Sequence, residues 1–217
     1  AVGRPAGARI RLEKRLPVAA GIGGGSADAA ATLRGLQRLW GTELSAAELA
    51  GLALALGADV PVCLLGQPVR MRGIGDRLEP LARLPALHLV LVNPGFPLAT
   101  AAVFKALRAA TFAHRGTDVA PAPTLAWLRA CRNDLETPAR ELLPVIGEML
   151  TLLAAEPGCG FARMSGSGPT CFGAFASRAA AEAARQRVAH RQPRWWVASC
   201  QTLARPSSEV ATPISAA

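Results

Sequence analysis

Four glycines occupy the five positions 21–25, inside the run Pro17-Val18-Ala19-Ala20-Gly21-Ile22-Gly23-Gly24-Gly25-Ser26-Ala27. A run with so few side chains builds no core of its own, and serves instead where backbone must turn sharply or come close to another group. Upstream, Ile10, Leu12 and Leu16 interleave with Arg9, Arg11, Glu13 and Arg15 at the period of a strand. Downstream, Ala29, Leu33, Leu36, Leu39 and Trp40 recur at helical spacing as far as Gly41, a helix stop. The order expected is therefore strand, glycine turn, helix. It points free helix amides and the positive end of the helix dipole at the turn, an arrangement suited to a phosphate. Ser26 is placed for its hydroxyl to touch a phosphate or a magnesium ion. A glycine turn with no ligand accounts for the same residues.

Two familiar phosphate signatures are excluded. A Walker A loop ends in Gly-Lys-Ser/Thr, whereas Gly25 is followed by Ser26, Ala27 and Asp28. A dinucleotide fingerprint needs an acidic residue at a strand end about twenty positions on, and the nearest acids, Glu43 and Glu48, belong to a helix start.

Further along, Ser45-Ala-Ala-Glu48 is a capping box, opening a helix that stops at Gly57. Short strands are expected over 62–65 and 69–72, on either side of Gly66, and a buried strand over 87–92, closed by Asn93-Pro-Gly95. Helices are expected over 100–108, 124–131 and 138–155. The last third reads strand, glycine turn, strand over 161–175, then a helix to His190 and a strand over 195–200. Strands and helices mixed with hairpins make the fold class α+β rather than a doubly wound parallel sheet. The tail 206–217, rich in Ser, Pro, Thr and Ala, is expected to be disordered.

At 217 residues and 51% hydrophobic content the chain can hold one large or two small domains. It has no apolar run of bilayer-spanning length and no signal peptide with an apolar centre, so no membrane partner and a cytoplasmic location are expected. Five cysteines without a Cys-x-x-Cys pair suggest buried thiols, neither a disulfide framework nor a zinc site. The net charge of +9 invites a nucleic-acid partner. However, the arginines are scattered, Lys14 and Lys105 are the sole lysines, and tyrosine is absent, so nucleic acid is not expected. The surplus charge attracts a nucleotide triphosphate or a diphosphate equally well.

Two further blocks complete the pattern: Leu56-Gly-Ala-Asp-Val-Pro-Val62 and Arg163-Met-Ser-Gly-Ser-Gly-Pro-Thr-Cys-Phe172. With the glycine loop they resemble the GHMP kinases, the superfamily of galactokinase, homoserine kinase, mevalonate kinase and phosphomevalonate kinase. Glu13-Lys-Arg-Leu-Pro17, Asn93-Pro-Gly95 and Arg132-Asn-Asp-Leu-Glu136 are similar, within that superfamily, to the kinases of cytidine diphosphate-linked methylerythritol in the non-mevalonate isoprenoid pathway. The resemblance runs from about Arg9 to about Leu203. It implies a two-domain fold, with an N-terminal part like ribosomal protein S5 domain 2 over residues 1–95 and a ferredoxin-like part over 96–205. The implied reaction is ATP-dependent phosphorylation of the 2-hydroxyl of that small-molecule substrate, with Mg2+.

By the same resemblance, Asp59 orients or deprotonates the acceptor hydroxyl; read from its neighbours alone, it is also a turn or N-cap aspartate. Lys14 matches a residue near the adenine, and Pro17, Val18, Ala19, Ala20, Gly21, Ile22, Gly23, Gly24, Gly25, Ser26 and Ala27 match the ATP loop. Ser26 is the candidate metal ligand. Asp28 suits the helix dipole by about 0.3–1 kcal/mol and has a second possible use at the metal. Thr100 and Phe104 match positions near the substrate's cytidine, although Phe104 also fits a core position. Gly166, Ser167 and Gly168 match the third glycine motif, on the substrate cleft, and equally a hairpin turn. His88, His114 and His190 show no metal spacing.

One departure from the family stands out. Its members begin with a Pro-x-Lys-x-Asn-like strand whose lysine helps activate the acceptor, and nothing before Arg9 matches it. The chain therefore reads as N-terminally truncated. The alternatives implied are an impaired nucleotide-binding fragment and a kinase for another small alcohol.

Overall fold

The structure is a computed structural model and describes residues 7–81, 84–107 and 124–202. These residues form two compact units, the first from 7–15 and 23–81, the second from 16–22, 84–107 and 124–202. The expected disorder of 206–217, and His114, lie outside the described residues.

In the first unit, helix α1 (Gly24–Trp40) ends at Gly41, whose φ of 58° lets its N–H turn back to the Arg38 carbonyl. Helix α2 (Ala46–Leu56) begins with the expected capping box, the Ser45 hydroxyl accepting from the Glu48 amide while the Glu48 carboxylate accepts from the Ser45 amide. The segment 62–65, expected as a strand, instead lies in helix α3 (Val60–Leu65). Pro61 in its first turn and Gly66 at its end, with φ of 62°, are helix signals that outweigh a four-residue apolar run. Strands β1 (Val69–Arg72) and β2 (Arg77–Pro80) form an antiparallel hairpin. Residues 7–16 form no strand, contrary to their alternation, and Ile10 and Leu12 are 61% and 62% exposed. Alternation defines two faces, but a strand exists only where a neighbour completes its hydrogen-bond ladder, and none among the described residues does so.

The core of this unit is small: Ala30, Ala53, Val60 and Leu64, where α1 and α2 pack on α3. Arg34 in α1 donates to the Leu64 carbonyl and, at 3.3 Å, to that of Cys63, satisfying groups that the last turn of α3 leaves open.

The second unit is built on strands β3 (His88–Asn93), β4 (Cys159–Met164), β5 (Cys171–Phe175) and β6 (Trp196–Gln201). They lie in the order β4-β5-β3-β6, all antiparallel, with Val92 opposite both Cys171 and Val197. Between β3 and β4 run α4 (Thr100–Ala106), α5 (Leu125–Ala130), α6 (Glu136–Leu142) and α7 (Val145–Ala154), while α8 (Arg178–Arg191) joins β5 to β6. Helices α7 and α8 cover the sheet, giving the β-α-β-β-α-β arrangement expected of a ferredoxin-like domain. The single helix expected over 138–155 is broken at Pro144, which cannot donate to the preceding turn.

The core joins one face of β3 and β5 to the helices: Val90, Val92, Ile146, Met149, Leu153, Ala184 and Val188 are all inaccessible to solvent. At its rim the Glu156 carboxylate, whose side chain is 1% exposed, accepts from Arg187 at 2.7 Å and Arg191 at 3.4 Å.

Candidate active site

The glycine loop begins in the second unit. Ala19 and Gly21 both adopt left-handed backbone, with φ of 51° and 69°. Ala20 between them is buried, and its carbonyl accepts from the Thr170 amide at 3.3 Å. The Gly21 carbonyl accepts from the Ser165 hydroxyl at 2.8 Å. A Cβ at Gly21 would run into the Ser165 and Gly168 carbonyls, so the glycine is required by close approach as well as by φ. Ala19 has no such exemption, and a left-handed alanine stores roughly 1–2 kcal/mol of strain.

Beyond Ile22 the chain enters the first unit. Gly23, with φ of 70°, is the N-cap of α1, and no side chain caps that helix. The amides of its first turn are thus open, and a Cβ added at Gly23 or Gly25 would meet no atom within 4 Å. Backbone that alternates into left-handed φ and then opens a helix turns successive N–H groups to one side, making a concavity suited to an anion. Ser26 is half-buried in that first turn. Asp28 follows, and its carboxylate is ion-paired with the Lys14 ammonium. The lysine and the helix-start aspartate therefore neutralise one another.

Asp59 occupies the N-cap position of α3, yet its side chain makes no capping hydrogen bond. The capping alternative is thereby removed: the carboxylate is exposed. Its backbone is nonetheless fixed, because Val60 and Pro61 behind it are buried and Gly75, at the tip of the β1–β2 hairpin, approaches the Ala58 carbonyl too closely for a side chain. Burial, and then the Asp59 charge, push the nearby Cys63 thiol above its ordinary value.

The remaining candidates lie in the second unit. Thr100, at the start of α4, and Ser167 share a hydroxyl–hydroxyl hydrogen bond of 2.8 Å. Phe104, one turn further along α4, is 55% exposed, which rules out the core placement its spacing also allowed. The turn 165–168 is closed by Ser165 and Thr170 across β4 and β5 and by the Gly168 amide on the Ser165 carbonyl, both at 2.9 Å. Its glycines, Gly166 and Gly168, have φ of 53° and 80°.

Sequence reasoning missed the side chains that support this turn. Asn93, fully buried at the end of β3, donates to the Thr170 hydroxyl at 2.9 Å and accepts from the Gly95 amide at 2.9 Å. Asn133 donates to the Met164 and Gly166 carbonyls, and Glu136 accepts from the Met164 amide. The available signal was the presence of both asparagines in the Asn93-Pro-Gly and Arg132-Asn-Asp-Leu-Glu blocks.

Among the described residues no group of three or more His, Cys, Asp or Glu side chains is placed to hold a metal ion. A magnesium ion bound largely through phosphate oxygens, with one or two protein oxygens, fits such a site better than an all-protein cage. No helix among the described residues is long and apolar enough to cross a membrane.

Comparison with known proteins gives a consistent result. The model of the GHMP kinases' N-terminal domain matches residues 1–67, and that of their C-terminal domain matches residues 122–193. The 4-diphosphocytidyl-2-C-methyl-D-erythritol kinase of Paramagnetospirillum magneticum is 54% identical over 94% of this chain and 72% of its own length. That of Chelativorans sp. is 50% identical over 90% and 67%. Among solved structures, a 4-(cytidine 5'-diphospho)-2C-methyl-D-erythritol kinase superposes with a TM-score of 0.72 at 38% identity, covering 92% of this chain and 73% of that one. Homoserine kinase from Cytophaga hutchinsonii, 17% identical over 89% and 69%, shares the fold with a TM-score of 0.66.

Proposed function

Since the chain belongs to the GHMP kinases, and among them to the 4-diphosphocytidyl-2-C-methyl-D-erythritol kinase family, we propose that it transfers the terminal phosphoryl group of ATP to the 2-hydroxyl of 4-diphosphocytidyl-2-C-methyl-D-erythritol. The observation that carries the reading is the uncapped start of α1, reached through left-handed Ala19, Gly21 and Gly23, in a chain 54% identical to such a kinase.

Phosphoryl transfer asks a protein mainly to align the acceptor with the terminal phosphate and to stabilise charge spread over its oxygens. In this reading the amides at the start of α1 take the phosphates, and the Ser26 hydroxyl takes a phosphate oxygen or the metal. The Ser26 hydroxyl would be the protein group to hold Mg2+ beside the nucleotide, and the ion would supply charge neutralisation at the phosphates. The Asp59 carboxylate accepts the proton of the acceptor hydroxyl as its oxygen bonds to phosphorus and the bond to the ADP oxygen breaks. Lys14 flanks the nucleotide and holds Asp28. Thr100, Ser167 and the turn glycines Gly166 and Gly168 bound the acceptor, and the exposed ring of Phe104 supplies a face for the cytosine. The boundary expected between a nucleotide-binding domain over 1–95 and a C-terminal domain over 96–205 then moves ahead of β3, which pairs with β5 and β6 in a unit that starts again at 84. The reaction is assigned to the cytoplasm, in keeping with the free cysteines among the described residues.

A coupled assay for ADP, with the phosphorylated product identified by mass spectrometry, tests the reading. Turnover with homoserine or mevalonate but not with the cytidine substrate would assign the chain to a different acceptor. A second reading, nucleotide binding without turnover, draws on the open start of α1 alone. Tight binding of a fluorescent ATP analogue with no ADP formed would establish that second reading.

A further inference from the structure

We infer that Asn133 is a positioning residue for the acceptor site, holding the turn 165–168 in register against the Ala20–Gly21 limb of the phosphate loop. The inference rests on the functional reading above, since it takes that turn to bound the acceptor and that limb to lead into the nucleotide site.

The Asn133 carboxamide bonds to backbone through both of its donors and its oxygen. Its nitrogen donates to the Met164 carbonyl at 3.0 Å and to the Gly166 carbonyl at 2.7 Å, and its oxygen accepts from the Leu135 amide at 3.0 Å. Glu136 adds an acceptor for the Met164 amide at 3.3 Å. Two carbonyls on either side of Ser165 are thus gathered onto one donor. Ser165 is the residue whose hydroxyl reaches the Gly21 carbonyl, and Thr170, at the far end of the same turn, donates to Ala20. Ser167, between them, carries the hydroxyl paired with Thr100. One amide group therefore sets two things together: where Ser167 is presented, and how the turn lies on the loop limb. A side chain that bonds only to backbone, at a turn whose glycines admit no alternative rotamer of their own, acts through geometry rather than by touching substrate.

Asn133→Asp keeps the shape and the acceptor for Leu135 but replaces the donor with an oxygen facing two carbonyls. Losing both hydrogen bonds at a half-buried site should weaken binding of the cytidine substrate, by calorimetric titration, roughly tenfold or more. Nucleotide affinity should fall as well, by less, and KM for the acceptor should rise more than kcat falls. Arg132→Ala, an exposed neighbour paired with Asp134 at 2.7 Å, should change neither affinity. A purely structural Asn133 would lower the melting temperature and leave both affinities of the folded protein intact, and that result overturns the inference alone. Absence of binding by the unaltered chain would overturn the functional reading first and this inference with it.

If Asn133→Asp does not fold, hydrogen exchange on the unaltered protein decides. Adding the cytidine substrate should slow the Leu135 and Gly168 amides together. Slowing at Gly168 with no change at Leu135 would overturn the coupling.

Discussion

Gly25 and Gly21 show two different reasons for a glycine within one loop. Gly25 has helical backbone and open space where a Cβ would go, whereas Gly21 is walled in by the turn carbonyls. Gly25→Ala should therefore stabilise the fold by about 0.5–1 kcal/mol, or about 2 °C in melting temperature, while weakening nucleotide binding because its methyl occupies the space of the phosphates. A melting curve beside a nucleotide titration checks this, and unchanged affinity in the stabilised variant would remove the start of α1 from the nucleotide site. For Asp59 the free carboxylate leads to a sharper expectation. Asp59→Asn keeps the shape, removes the basicity, and should cut turnover on the order of 10²–10⁴-fold with nucleotide affinity little changed. Near-normal turnover would dismiss the mechanism. Both residues were legible in the sequence, Gly25 from the loop and Asp59 from the Gly-Ala-Asp-Val-Pro block. Asn133 was not, because its carbonyl partners lie 31 and 33 positions away, and no local pattern encodes a bond of that range.

At the level of elements, capping chemistry was easier to read than strands. The Ser45–Glu48 box and the Gly41 stop stood where their residues placed them, because caps are satisfied within one turn of chain. The alternation at 9–16 and the apolar run at 62–65 misled for one reason: strand identity depends on a partner that the segment itself does not specify. The contact between α7 and α8 yields a testable asymmetry. Glu156 is 1% exposed, while Arg187 and Arg191 are 39% and 56% exposed. Removing the carboxylate leaves two arginines that water can reach, but removing the arginines strands a buried anion. Glu156→Gln should cost about 1–2 kcal/mol, and Arg187→Ala with Arg191→Ala about 3–5 kcal/mol, in urea denaturation at neutral pH. Equal costs would mean the carboxylate is hydrated in solution.

For the whole molecule, the α+β class followed from the mixture of strands, helices and hairpins and the ferredoxin-like part from the family resemblance, whereas the division into units followed from neither, since residues 16–22 join a unit whose other residues start at 84. Packing is unequal among the described residues: four buried residues in the core of the first unit, fourteen in that of the second. The stability of the second should carry a pH signature. Burial, followed by the Glu136 charge, pushes the Cys171 thiol from 9.0 to about 12. Below pH 9 the thiol is neutral whether folded or unfolded, and its contribution is complete. Between 9 and 12 only the unfolded chain gives up the proton, so stability falls as pH rises through that window. Cys171→Ala should melt below the unaltered protein at about pH 8, and the gap should narrow by about pH 10.5. Parallel curves would show that the thiol titrates alike in both states. The supports of the turn 165–168 suggest one more consequence. Asn133 and Glu136 grip main chain on either side of Ser165, and Gly166 and Gly168 are fixed by their left-handed backbone, so the frame leaves Ser167 as the position free to vary. A scaffold gripped in that way can exchange the side chain at Ser167 without rebuilding its mounting, which, with the acceptor bound as proposed, leaves new alcohol specificities within reach of a few substitutions.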